Sequence, residues 1–151
     1  MVSFAVYDSP FGLIEIGYDG AQILSIRRGG CKTHHMPSPV SDLANAQLQE
    51  YFLGKRRRFD LPVLLKGTPF QIAVWNSLLD IPYGEVFTYG QIAAKIGKPG
   101  AARAVGQAAN RNPLWIVVPC HRVVGKNRSL TGYAGGLEMK RALLELEQSL
   151  S

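Results

Sequence analysis

Cysteine is scarce in this chain: 151 residues carry two, Cys31 and Cys120. Two cysteines make no disulfide framework, and the absence of a Cys-x-x-Cys pair excludes zinc-ribbon and dithiol redox chemistry. A cysteine with a role here is expected to act as a free thiol. Long apolar runs are also missing. Stretches such as Leu61–Leu65 and Ile116–Val118 fall far short of the roughly 18–20 residues needed to cross a bilayer, so no membrane partner is expected. The start, MVSFAVYDSPFG, lacks the basic and then apolar pattern of a secretion signal, so a cytoplasmic protein is expected. Charged residues amount to 19%, against a typical share of about 25%. Hydrophobic residues, at 46%, suffice for a real core and exclude disorder.

One further absence is local. Lys plus Arg is 17 and Asp plus Glu 11, a net +6, yet from Val86 to Leu137 there is no acidic residue. That stretch contains Lys95, Lys98, Arg103, Arg111, Arg122, Lys126 and Arg128, cations with no acid nearby in sequence. Such a field suits phosphates, because neutralising them releases condensed counterions. The Lys55–Arg58 run is weaker evidence, since basic runs are usually solvated loops.

Phe4–Tyr7, Leu13–Tyr18 and Gln22–Arg28 read as strands of an antiparallel meander, with Asp19-Gly20 as a hairpin turn. After a polar loop, Leu43, Gln47, Leu48, Tyr51 and Phe52 recur at helical spacing, ended by Gly54. Leu61–Leu65 reads as a linker or edge segment. Thr68-Pro69 is an N-cap followed by a first-turn proline. Thr88 and Gln91 have capping-box spacing, and Gly97 stands at the end of that short helix. A second short helix, from Ala101 to about Asn110, completes a helix-turn-helix, whose second helix normally meets DNA. Trp115–Val118 reads as a buried strand. The last helix, from about Leu137 to Gln148, directs Met139, Leu143, Leu146 and Leu150 inward, with Leu144 broadening that face, while Glu147 borders it and needs a partner.

Cys120 is followed by His121 and Arg122, and these cations are expected to lower a thiol pKa whose ordinary value is about 8.5. Neighbours in a strand point to opposite faces, so His121 needs a water bridge or a local turn to serve Cys120. Glu147 is the carboxylate best placed to orient His121. Cys31, His34 and His35 supply soft ligands close together, but without an evident fourth ligand no metal site is expected.

Pro119-Cys120-His121-Arg122-Val123, preceded by Asn110-Arg111-Asn112-Pro113 and followed by Thr131-Gly132-Tyr133-Ala134-Gly135-Gly136, resembles the active-site signature of the O6-alkylguanine-DNA alkyltransferases. The resemblance extends from about Thr68 to Glu147 through PYGEVFTYGQIA and AARAVGQA. It implies an α/β protein: a ribonuclease H-like N-terminal domain over residues 1–66, with a three-stranded antiparallel sheet and a helix, then a mainly helical, winged-helix-like domain over 67–151. It also implies irreversible, single-turnover repair of double-stranded DNA carrying O6-alkylguanine, with the base flipped out of the stack from the minor groove. No cofactor is required, and a monomer is expected, with cooperative binding on DNA and activity on O4-alkylthymine left open.

By the same resemblance Cys120 accepts the alkyl group, and His121 with Glu147 deprotonates it through a water. Asn112 holds the active-site turn, and Tyr89 pushes on a phosphate and helps protonate the leaving guanine. Arg103 fills the space left in the duplex, with Thr88, Tyr89, Ala102, Gly106 and Arg111 also at the DNA. Tyr89, Val123, Tyr133, Ala134 and Gly135 form the alkylguanine pocket. Trp115 stands where some relatives have a smaller residue. Two other readings are a pure binding module, either one that flags alkylated bases without chemistry, against which the presence of Cys120 argues, or a helix-turn-helix regulator, and a cysteine hydrolase, which differs in turning over.

Overall fold

A computed structural model describes residues 1–149; Leu150, expected on the inner face of the last helix, lies outside them. The chain divides into two compact units, Met1–Lys66 and Gly67–Ser151.

In the first unit, β1 (Ser3–Ser9), β2 (Gly12–Asp19) and β3 (Gln22–Arg28) form an antiparallel meander in the order β1-β2-β3. Alternation sets which face is covered: Ala5, Ile14, Ile16, Ile23 and Ile26 are buried. Helix α1 (Pro39–Phe52) starts at a capping box of Ser38 and Ser41 with Pro39 in its first turn, one turn before the apolar spacing begins. Its Ala44, Leu48 and Tyr51 are fully buried, and it packs on the sheet. The Gln47 amide brackets the backbone of Asp60, donating to its carbonyl at 3.0 Å and accepting from its N–H at 2.9 Å. The chain after it therefore runs back beside β3, where Ile23 N–H donates to the Pro62 carbonyl and Leu64 N–H to the Ile23 carbonyl. The 61–65 segment is thus a short parallel bridge at the sheet edge.

The second unit is mainly helical. Helix α2 (Pro69–Leu79) begins at the Thr68–Gln71 capping box. Its Trp75 indole N–H donates to the Ala108 carbonyl at 2.9 Å, tying α2 to the helix-turn-helix. Strand β4 (Phe87–Thr88) leads into α3 (Tyr89–Lys95), capped reciprocally by Thr88 and Gln91. Beyond α3, Lys98 N–H donates to the Ala93 carbonyl and Gly97 N–H to the Ala94 carbonyl. This double closure requires a left-handed residue, and Gly97 sits at φ 78°. Helix α4 (Ala102–Asn110) follows and packs on α3. Strand β5 (Val123–Val124) pairs parallel with β4, and α5 (Leu137–Ser149) completes the unit. Among the described residues no helix is long and apolar enough to cross a membrane.

The expected strand at Trp115–Val118 is instead a turn. Ile116 has φ 73° and is buried, an unusual conformation for a β-branched side chain. Val117 N–H donates to the Trp115 carbonyl at 2.8 Å and Val118 N–H to the Leu114 carbonyl at 2.9 Å. The run is apolar because it is buried, not because it is extended.

Candidate active site

The segment from Asn112 to Arg122 is knitted around one side chain. Asn112 is buried, and its carboxamide oxygen accepts the Leu114 N–H at 2.9 Å. Its Nδ2 donates to the Val118 carbonyl at 2.8 Å and to Cys120 Sγ at 3.1 Å. Pro119, at φ −81° and ψ 63°, turns the chain so that Cys120 N–H returns to the Val118 carbonyl. Cys120, His121 and Arg122 then form one turn of 3₁₀ helix, all buried. This is the local turn that an extended chain lacks, and it aims successive side chains in directions a strand forbids.

Glu147 comes from α5 with no solvent exposure. Its carboxylate accepts from Arg122 Nε at 2.7 Å and Nη2 at 3.0 Å, a bidentate pair, and from the Gly84 N–H at 3.4 Å. The remaining guanidinium donor, Nη1, reaches the Ile81 carbonyl at 2.7 Å. His121 Nε2 lies 2.6 Å from Glu147 Oε2. Since a carboxylate only accepts, Nε2 carries the hydrogen and the lone pair of neutral His121 stands on Nδ1. Nδ1 has no hydrogen-bond partner among the described residues. Burial alone would raise the Glu147 pKa, but the hydrogen bonds and charges of His121 and Arg122 overcome it and hold the carboxyl well below its usual range. Burial lowers the His121 pKa against the opposing pull of Glu147, so the ring is neutral at pH 7.

The expectation of a low thiol pKa is overturned. Burial pushes Cys120 up to about 11, only partly opposed by the Asn112 hydrogen bond and the charge of Lys140. Arg122, which the sequence offers as an activating cation, spends its charge on Glu147. A thiol raised this far is protonated at pH 7. A nucleophilic role for this sulfur would require a base to remove its proton.

The seven cations of the acid-free stretch are not all unpaired either, since Lys95 reaches Asp80 at 3.3 Å and Arg122 is buried on Glu147. Arg103 and Arg111 are exposed, and their side chains form no ion pair among the described residues. Arg103 lies in the first turn of α4, and Ala102 and Gly106 on the same helix are half-buried. Gly106 faces the Tyr89 ring, where an added Cβ would sit 3.7 Å away. Thr88 uses its side chain as the α3 cap.

Around the thiol, Tyr133 is buried and close enough to Cys120 for each to shift the other's titration, although its hydroxyl has no well-formed hydrogen bond. Gly135 is buried where a Cβ would meet the Tyr133 ring and Met139 sulfur at 2.7 Å and the Trp115 ring at 3.2 Å; only glycine fits without displacement. Ala134 is exposed and Val123 fully buried. The Tyr89 hydroxyl donates to the Thr131 carbonyl at 3.0 Å, and burial raises its pKa.

Lys140 is the site residue the sequence pattern concealed. It is fully buried, and its Nζ donates to the Thr131 carbonyl at 2.9 Å and to the Tyr89 hydroxyl at 3.4 Å. Burial lowers its pKa to about 8. The signal was available, because Lys140 stands three residues before Leu143 and seven before Glu147, on the stripe that is buried.

Residues 69–149 match the family model of the 6-O-methylguanine DNA methyltransferase DNA-binding domain, and residues 2–65 that of the ribonuclease-like domain of the same proteins. The methylated-DNA–protein-cysteine methyltransferase of Mycobacterium tuberculosis is 47% identical over 99% of this chain and 94% of its own. The constitutive enzyme of that name from Bacillus subtilis is 56% identical over 77% of this chain and 71% of its own. The crystal structure of the Mycobacterium tuberculosis protein in complex with DNA superposes with a TM-score of 0.90 at 47% identity, covering 99% of this chain and 94% of that one. The O6-methylguanine-DNA methyltransferase of Pyrococcus kodakaraensis superposes at 0.65 with 27% identity, covering 97% of this chain and 99% of that one.

Proposed function

Because the chain belongs to the 6-O-methylguanine DNA methyltransferase family, an enzyme family of DNA repair that moves a methyl group from alkylated DNA to a protein cysteine, we propose that Cys120 is its acceptor and O6-alkylguanine in duplex DNA its substrate. The observation that carries the reading is the pairing of a buried, protonated thiol, held by Asn112, with a neighbouring histidine whose only free nitrogen is Nδ1.

The step balances as follows. The Cys120 proton passes through a water to His121 Nδ1, and the imidazolium formed is stabilised by Glu147. The sulfur attacks the alkyl carbon, the carbon–O6 bond breaks, and its electron pair leaves with guanine. The Tyr89 hydroxyl supplies the proton that neutralises the departing base, with the Lys140 ammonium beside the resulting phenolate. A thioether is stable, so the protein reacts once and no cofactor enters.

Reaching the base requires flipping it from the stack, at a cost of a few kcal/mol. Arg103, exposed and unpaired on α4, offsets part of that cost by filling the vacated space with a planar cation. Thr88, Ala102, Gly106 and Arg111 complete the face that follows the minor groove. Tyr133, Ala134, Gly135 and Val123 line the pocket, with Trp115 at its rim. The two domains divide the work, residues 67–151 carrying DNA binding and transfer and residues 1–66 a supporting ribonuclease-like fold; the protein acts as a monomer. O4-alkylthymine carries the same alkyl–oxygen bond and is a second substrate to examine.

Counting products tests the reading. One alkyl group removed per protein molecule, and none by Cys120→Ala although it still binds the duplex, is expected. Repeated turnover would identify a hydrolase, and lesion binding without transfer a recognition module.

A further inference from the structure

We propose that Tyr89 and Lys140 form a clasp on the Thr131 carbonyl that keeps the 131–136 loop closed on the Cys120 pocket until DNA takes the Tyr89 hydroxyl away. This rests on the reading of Cys120 as the alkyl acceptor and of Tyr89 as a group that meets DNA.

A phenol has one proton. In the free protein that proton goes to the Thr131 carbonyl at 3.0 Å, with the Gly132 carbonyl at 3.5 Å beyond it. It cannot be donated to a phosphate or a base at the same time, so the contact that serves the reaction must replace the contact that holds the loop. The same carbonyl accepts from Lys140 at 2.9 Å, and the Lys140 ammonium also lies 5.7 Å from the centre of the Tyr89 ring. One carbonyl thus fastens the loop to α3 and α5 together.

The loop has little else to hold it at its start. Thr131, Gly132 and Ala134 are exposed, and Gly132 has φ 45°. Segments with few internal bonds are those that open first. What the loop carries inward is Tyr133, beside the sulfur, and Gly135, against Trp115 and Met139. Loosening the clasp therefore loosens the wall of the pocket.

Helix α4 lies beside both Tyr89 and the loop. Gly106 lies under the Tyr89 ring, and the Asn110 amide is the nearest group to Gly132, 3.2 Å from where a Cβ would stand. A duplex docked on α4 is in position to draw Tyr89 from Thr131. Lys140 stays on the carbonyl and keeps the loop tethered, which makes it a positioning residue acting through the loop and through Tyr89.

Amide hydrogen exchange of residues 129–136, with peptides from α1 and α2 as fold controls, tests this without any alkyl transfer. In the free protein, Tyr89→Phe and Lys140→Met are each expected to speed loop exchange about tenfold, the effect of losing one hydrogen bond on an opening equilibrium. Lys140→Arg, which retains a donor, should recover most of the protection. A short unmodified duplex should speed loop exchange in the wild type towards the Tyr89→Phe rate and leave that variant unchanged. Equal exchange in wild type and Tyr89→Phe, or a wild-type loop that the duplex leaves unaltered or slows, overturns the clasp. Should Lys140→Met fail to fold, Tyr89→Phe alone decides. Failure of the repair reading would appear in product counting and leave these exchange rates untouched.

Discussion

Arg103 and Arg122 lie in the same acid-free stretch and look alike in sequence, yet they end in opposite environments. Arg103 stands exposed on α4 with its charge free, whereas Arg122 is buried with its guanidinium divided between Glu147 and the Ile81 carbonyl. The difference separates two jobs that a cation count merges. The exposed face of the helix-turn-helix keeps its positive charge open to solvent, where it would attract phosphate under the proposed function. The buried knot supplies no net charge to the thiol at all, because Glu147, from the far end of the chain, cancels Arg122. Glu147 in turn selects the His121 tautomer, so under the proposed function Cys120 would draw its reactivity from a positioned base and not from a preformed thiolate.

The largest effect on this contrast is expected from Glu147→Gln. It leaves Arg122 buried without its counter-ion, which costs about 3–5 kcal/mol by the usual measure of broken buried pairs. It also frees the His121 orientation, so transfer should slow by roughly 10²–10⁴-fold. Urea unfolding and single-turnover kinetics read the two effects, and wild-type stability in this variant would mean that Arg122 does not depend on Glu147. The sign with pH follows from the depressed folded-state pKa of Glu147. Its contribution is full above the unfolded value of about 4.3 and is lost as pH falls below it, so variant and wild type should converge in acid.

Next in size is the pH profile of transfer. If neutral His121, whose pKa lies below the ordinary 6.5, is the base as proposed, the rate should hold level from neutrality downward and drop only beneath that value. A limb centred above 6.5 would contradict the burial of His121.

Arg103→Ala sharpens the other side. Unfolding free energy should move by less than about 0.5 kcal/mol, as for exposed side chains without partners. Repair of a lesion in duplex DNA should fall at least about tenfold, while reaction with the free alkylated base stays unchanged. The smallest effect belongs to Lys126→Ala, an exposed cation; as a lone phosphate contact it should reduce the salt slope of DNA binding by about 1 and leave chemistry alone.

Much of the fold was legible because local signals agreed with the tertiary outcome. The Asp19-Gly20 turn, the Thr68–Gln71 and Thr88–Gln91 boxes and Gly97 each close a bond within a few residues. The Trp115–Val118 turn was not legible, since a β-branched apolar run reads as a strand, whereas the turn closes on its own backbone and on Asn112, which reaches across to Val118 and Cys120. The thiol pKa was misread for a related reason: adjacency in sequence to Arg122 says nothing of the carboxylate that α5 brings to it. Glu147 could be inferred because an acid on an apolar stripe demands a partner. The inward face expected of the last helix holds at Met139, Leu143 and Leu144, while Leu146 is only half-buried; Lys140 escapes an apolar pattern because a charged residue on that face does not read as core.

The most direct measurement is the intact mass of the protein after mixing with a duplex that contains one O6-methylguanine, followed by peptide mapping. The account predicts a stoichiometric gain of one methyl group, about 14 Da, on Cys120, as expected of a covalent nucleophile that is not regenerated. An unchanged mass, or a methyl group on any other residue, would contradict it.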